Sequence, residues 1–253
     1  MGTFSEPVAE AIVSLRPDLV LTSPSPGNET AVRAIERTGV KVAVVQSEGG
    51  VREVRSAMLE VAAAVGAPEA GGRLVASLDL RLAAVRAASA SLDHPVAAVV
   101  VGREPLVLAG PGSYLGELVT MAGGINIADA IGGRWPRVGL EFLVVSAPQV
   151  LVDLSYSMGE TRPSGNPAEE LAAAWSALPS VPAVANGRVV GDRASLMLRP
   201  GPRLGEAAEA MFEALHPGAG VPAAGPAAAG PAAAGHPAAA LPAPALAPGE
   251  GAR

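Results

Sequence analysis

The chain has 253 residues, 49% of them hydrophobic, enough to bury one large core or two smaller ones. A net charge of −6 with no cluster of Lys or Arg argues against a nucleic-acid surface, which needs concentrated basic side chains against phosphate. The absence of cysteine excludes disulfides and thiolate metal sites, and the scattered His94, His216 and His236 cannot build a zinc site alone.

The mean hydropathy is high at +0.35, yet charge, Gly or Pro breaks every apolar block before it reaches the ~20 residues of a membrane span. Met1 to Pro7 has neither the basic region nor the apolar core of a secretory leader, and Glu6 stands where a myristoylation pattern wants Ser or Thr. Taken literally, this start predicts a chain that stays where it was made, in the cytoplasm.

Glu10-Ala-Ile-Val-Ser-Leu-Arg-Pro17-Asp-Leu-Val-Leu21 reads as a short helix stopped by proline and followed by a buried strand. Pro and Gly exclude regular structure from Thr22 to Asn28. A helix through Val32 and Ile35 stops at Gly39, before a strand over Val40 to Val45, which completes a βαβ unit. Gly49-Gly50 leads into a helix over Val51 to Val65. A longer helix runs from Pro68 to Leu92, with Leu74, Leu78, Leu82, Val85, Ser89 and Leu92 at helical spacing.

After Pro95 a second α/β region opens with a strand over Val96 to Val101. Arg103 and Glu104 follow at its C-terminal end, where open α/β sheets place ligands. The turn Ala109 to Ser113 precedes a helix through Leu115, Leu118 and Val119. Gly110-Pro-Gly112-Ser113 lacks both the third glycine of a dinucleotide fingerprint and the Gly-Lys of a P-loop, so a tight strand-to-helix turn is the expectation. Glu141-Phe-Leu-Val-Val-Ser-Ala-Pro148-Gln-Val-Leu-Val152 then repeats the opening phrase, which predicts two similar lobes.

Downstream come a helix through Leu171 and Trp175, a turn at Asn186-Gly187, a strand at Val189-Val190 and a last helix over Arg203 to Leu215. From Gly218 onward Ala/Pro/Gly repeats predict a disordered tail. Trp135 and Tyr156 fall in loops and are candidates for ligand contact, whereas Trp175, Phe142 and Phe212 lie on helices and should pack. Arg193, after Asp192, is a loop candidate like Arg103. Carboxylate catalysis by Asp153 or Asp192 stays open as a different class of function.

Pro17-Asp-Leu-Val-Leu21, Gly110-Pro-Gly-Ser-Tyr-Leu115 with Ala122-Gly-Gly-Ile-Asn126, Trp135-Pro-Arg-Val-Gly-Leu-Glu141 and Leu198-Arg-Pro-Gly-Pro-Arg203 carry a resemblance. The chain resembles the class III periplasmic substrate-binding proteins of ABC importers for cobalamin, ferric siderophores and haem. That resemblance implies an α/β fold of two Rossmann-like lobes joined by a single long helix, the helical-backbone metal receptor type. Residues 1–66 would form a partial N-terminal lobe, 67–93 the backbone helix, 94–217 the C-terminal lobe and 218–253 the tail.

It further implies a binding protein without a resident cofactor, expected to be a periplasmic monomer. Its ligand would be a metal chelate held by Ser23, Pro24, Arg103, Glu104, Trp135, Tyr156, Asp192 and Arg193. Glutamates on the two lobes, Glu10 or Glu29 and Glu141, would dock the membrane permease. The Trp-Pro-x-Val-x-x-Glu phrase points to cobalamin or a related corrinoid. A ferric siderophore held by Arg103 and Tyr156, or haem with Tyr156 as axial ligand, is the alternative. Family members carry a leader and a first strand-helix portion before the segment that begins here at Phe4. An N-terminally truncated lobe with an exposed sheet edge is therefore expected.

Overall fold

The computed structural model describes residues 7–46, 48–155, 166–191 and 193–221. Tyr156, Asp192, Phe4 and the tail beyond Val221 lie outside the described residues.

Helix α1 (Ala9–Ser14) leads into strand β1 (Leu19–Thr22), and helix α2 (Glu29–Glu36) leads into β2 (Lys41–Val44). β1 and β2 pair in parallel, Leu19 opposite Lys41 through Thr22 opposite Val44. Among the described residues neither strand pairs with any other, and Leu21 and Val44 stand about half exposed, at 45% and 50%.

Two helices follow as a pair, α3 (Val51–Ala64) and the 22-residue α4 (Pro68–Ser89), with Pro68 at the start of α4 where its missing N–H costs nothing. On α4 the buried face is Gly71, Val75, Leu78, Leu82, Val85 and Ser89. Leu74 is turned out at 44% exposure, and the helix ends before Leu92. The stripe expected through Leu74 is therefore shifted to its neighbour Val75, because α3 and the last helix together choose which side of α4 is covered.

The larger sheet contains β3 (Val96–Arg103), β4 (Leu106–Leu108), β5 (Ile125–Asn126), β6 (Val150–Asp153) and β7 (Val189–Val190). Its order is β4-β3-β6-β7 with β5 added on β3, all parallel to β3 or β6 except the antiparallel hairpin strand β4. Successive side chains of a strand point to opposite faces. Ala97, Val99, Val150 and Val152 accordingly enter one core, and Ala98, Val100 and Leu151 another. Burial on both faces explains the unbroken aliphatic runs.

The first face is covered by α3, α4, helix α5 (Tyr114–Met121) and helix α10 (Leu204–Leu215). The second is covered by a 3-10 turn (Ile127–Ala130), α6 (Leu140–Ser146), α7 (Pro167–Trp175) and α8 (Pro182–Ala185). The single-turn α9 (Ala194–Met197) returns to the first core.

The repeated phrase forms the same unit twice, α1 into β1 and α6 into β6. In each copy the residue before the proline adopts a left-handed backbone, Arg16 at φ 50° and Ala147 at φ 46°.

Candidate ligand site

In the turn read as a possible phosphate loop, backbone donors on either side of Gly112 are engaged within the protein. Gly110 N–H donates to the Arg134 carbonyl and Ser113 N–H to that of Gly110, while Ser113 Oγ receives Gly116 N–H at 3.0 Å as the α5 N-cap. A Cβ at Gly110 would run into the Gly133 carbonyl and Pro136, so close backbone approach accounts for the glycine.

This turn ties α5 to the start of α3. Tyr114 N–H donates to the Gly49 carbonyl at 2.8 Å, and the Glu117 carboxylate accepts Val51 N–H at 3.0 Å, capping α3 from another element. Arg134 donates to Gly112 O at 3.2 Å and pairs with Glu48 at 3.4 Å. Beside Arg134, Trp135 projects from the surface at 41% exposure.

At the C-terminal ends of β3 and β6 lies a cavity of about 700 Å³, walled by Arg103, Glu104, Leu140, Ser155, Trp175 and Leu178. Behind it sits Asp153, fully buried. Its Oδ1 accepts Ser155 N–H at 2.9 Å and Ser155 Oγ–H at 2.6 Å, and its Oδ2 accepts Trp175 Nε1–H at 2.8 Å. Arg103 Nε stands 3.6 Å from Oδ2 and donates to Ser155 Oγ at 3.0 Å. Three neighbours, through four contacts, thus neutralise and satisfy a carboxylate that burial alone would penalise heavily. Asp153 has no exposed surface for a substrate, contrary to its reading as a catalytic carboxylate, and Asp192, the other candidate, lies outside the described residues.

The remaining predicted site residues are dispersed. Ser23 lines a cavity of about 420 Å³ in the N-terminal layer with Ile12, Thr22, Val32 and Ile35, and Pro24 beside it is exposed. Arg193 lines a third cavity, of about 470 Å³, with Glu206, Glu209 and Glu213 of α10. Arg103 and Glu104 are brought together; Arg193, Trp135 and Ser23 do not share their cavity. Glu10, Glu29 and Glu141 are all exposed and all in the first turn of a helix, α1, α2 and α6.

The two described histidines, His94 and His216, bond backbone carbonyls. His94 Nδ1 bonds the Gly123 carbonyl at 2.7 Å and His216 Nε2 that of Ala122 at 2.8 Å. Among the described residues there is no cluster of His, Cys, Asp or Glu able to hold a metal ion, and no helix long and apolar enough to cross a membrane.

Trp175 was legible only as packing; its role at Asp153 depends on a contact between α7 and β6 that no local pattern announces.

Two α/β layers bridged by a long helix, with candidate residues on loops at strand ends, define the two-lobed architecture of periplasmic ligand-binding proteins. The chain belongs to the periplasmic binding protein family, whose model matches residues 1–196. It is 27% identical over 217 residues to a cobalamin-binding protein of Halobacterium salinarum, covering 85% of this chain and 58% of that one. Against a vitamin B12-binding protein of Salmonella choleraesuis it is 27% identical over 143 residues, covering 56% and 53%. Among solved structures, the periplasmic haem-binding protein RhuT from Roseiflexus sp. RS-1 superposes with a TM-score of 0.66 at 26% identity, covering 83% of this chain and 82% of that one. The chain spans a little over half the length of these curated relatives, 58% and 53%.

Proposed function

We propose that the chain acts as the substrate-binding component of an ABC importer, not as an enzyme. It captures a metal chelate, cobalamin or a related corrinoid first, in a cleft between an N-terminal lobe (1–66) and a C-terminal lobe (94–217) joined by the helix of 67–93. The observation that carries this reading is family membership together with relatives that are named for cobalamin and vitamin B12.

In this reading Trp135 offers its exposed indole face to the ligand, supported by the Arg134 contacts that fix its loop. Ser23 and Pro24 contribute from the end of β1, and Arg103, Glu104 and Arg193 supply polar contacts. Tyr156 and Asp192 are assigned by position in sequence alone. The exposed Glu10 or Glu29 on one lobe and Glu141 on the other dock a membrane permease, and the working location is the periplasm, as a monomer. Haem is the second reading, favoured by the name of the RhuT structure and by an arginine at a cavity wall.

Titration of the purified chain with cyanocobalamin, haemin and a ferric siderophore panel, followed by tryptophan fluorescence, tests this. Saturable quenching by cyanocobalamin is expected, and Trp135→Ala should weaken it by about 1–2 kcal/mol, roughly tenfold. A flat response to every chelate would sink the reading.

A further inference from the structure

We propose that Asp153, with Ser155 and Trp175, is a positioning residue that holds Arg103 ready for a carboxylate group of the ligand in the 700 Å³ cavity. This deepens the ligand-binding reading and rests on it.

The geometry is one-sided. Every hydrogen bond and ion pair of the Arg103 guanidinium described above engages Nε, which meets Ser155 Oγ at 3.0 Å and Asp153 Oδ2 at 3.6 Å. Among the described residues no protein acceptor is bonded to its terminal nitrogens. A guanidinium is planar, so fixing its Nε edge fixes the direction of the two terminal N–H₂ groups. The side chain is one-third exposed, at 33%, on the wall of a cavity with room for a small organic group. Two parallel N–H donors on a rigid plane match a carboxylate in bidentate fashion.

Asp153 is what makes the plane rigid, because Trp175 Nε1 and the Ser155 N–H fix the carboxylate from behind. It also cancels the charge of Arg103, while Glu104 on the same wall adds a negative charge. Binding there is expected to depend on donor geometry more than on excess positive charge, and so to discriminate ligands by whether they carry a free carboxylate.

The test uses the full chain labelled with 5-fluorotryptophan, whose resonances from Trp135 and Trp175 are assigned with Trp135→Phe. Citrate, a small polycarboxylate, is expected to shift the Trp175 resonance saturably. Arg103→Gln should abolish that shift, and Asp153→Asn and Ser155→Ala should raise its midpoint about tenfold. In the same variants the affinity for haemin, which carries propionates, should fall about tenfold, while that for cyanocobalamin, which has no free carboxylate, stays within about twofold.

A Trp175 resonance silent to citrate in the native chain, or unchanged midpoints in both Asp153→Asn and Ser155→Ala, overturns the proposal. So does equal weakening of haemin and cyanocobalamin, the mark of a merely structural defect. If Asp153→Asn does not fold, Ser155→Ala, which keeps the carboxylate, decides. A citrate response without binding of either chelate would support the carboxylate subsite and count against the chelate reading. Chelate binding with a silent Trp175 would do the reverse.

Discussion

Tyr114 shows how one buried hydroxyl ties alkaline stability to the fold. It is 6% exposed and donates to the Met197 carbonyl at 3.0 Å, and burial pushes its hydroxyl up to about 12. The folded chain keeps this proton where an unfolded tyrosine, at about 10, would release it. The contribution to stability is therefore complete below about pH 10 and is lost as pH rises toward about 12. Alkaline titration of tyrosinate absorbance should show one tyrosine ionising late. Tyr114→Phe should remove that step and cost about 0.5–1.5 kcal/mol in denaturant unfolding at neutral pH. Single residues were unevenly legible in the sequence. Trp175 and Phe212 were legible as packing through their place on helices, and both are buried. Asp153 was not: its type suggested chemistry, while its burial follows from being the last residue of a strand covered on both faces.

At the scale of elements, Pro and Gly made most boundaries readable. Pro17 and Pro148 mark the step from helix to strand, and Gly39 lies just past the end of α2. What stayed hidden was short: β4 is three residues long, and α8 and α9 are single turns whose existence depends on the sheet beneath them. Leu74 and Val75 are both apolar, so periodicity alone could not choose between them; contact with α3 did. The junction of α3 with α5 was equally invisible, because Glu117 caps α3 from 66 residues away. A Cβ at Gly50 would displace the Glu117 carboxylate from this cap. Glu117→Ala should cost about 1 kcal/mol and speed hydrogen exchange at Val51, whereas Glu117→Gln, which keeps an acceptor, should restore most of the loss.

For the whole molecule, the distribution of buried surface predicts where it will come apart. Val51, Val54 and Met58 of α3 and Val75 through Val85 of α4 share one core with α5, α10 and the larger sheet. Arg81 of α4 adds a two-point contact to Glu209 of α10, at 2.8 and 2.9 Å. The β1-β2 layer contributes nothing to that core. Limited proteolysis should therefore cut first on the N-terminal side of Gly49 and leave a stable piece of about 49–217, rather than one beginning near His94. Early cleavage between α3 and α4 would contradict this picture. The contacts at Glu48, Gly49 and Val51 also decide which parts can move together. By tying the start of α3 to α5 and to the Arg134 loop, they make α3, α4 and the larger sheet one body, so a swing of the β1-β2 layer would have to take place on the N-terminal side of Glu48, where fixing the backbone costs roughly 1–2 kcal/mol per residue. Such a swing would leave α3 and α4 in place against the larger sheet, as a pre-set wall.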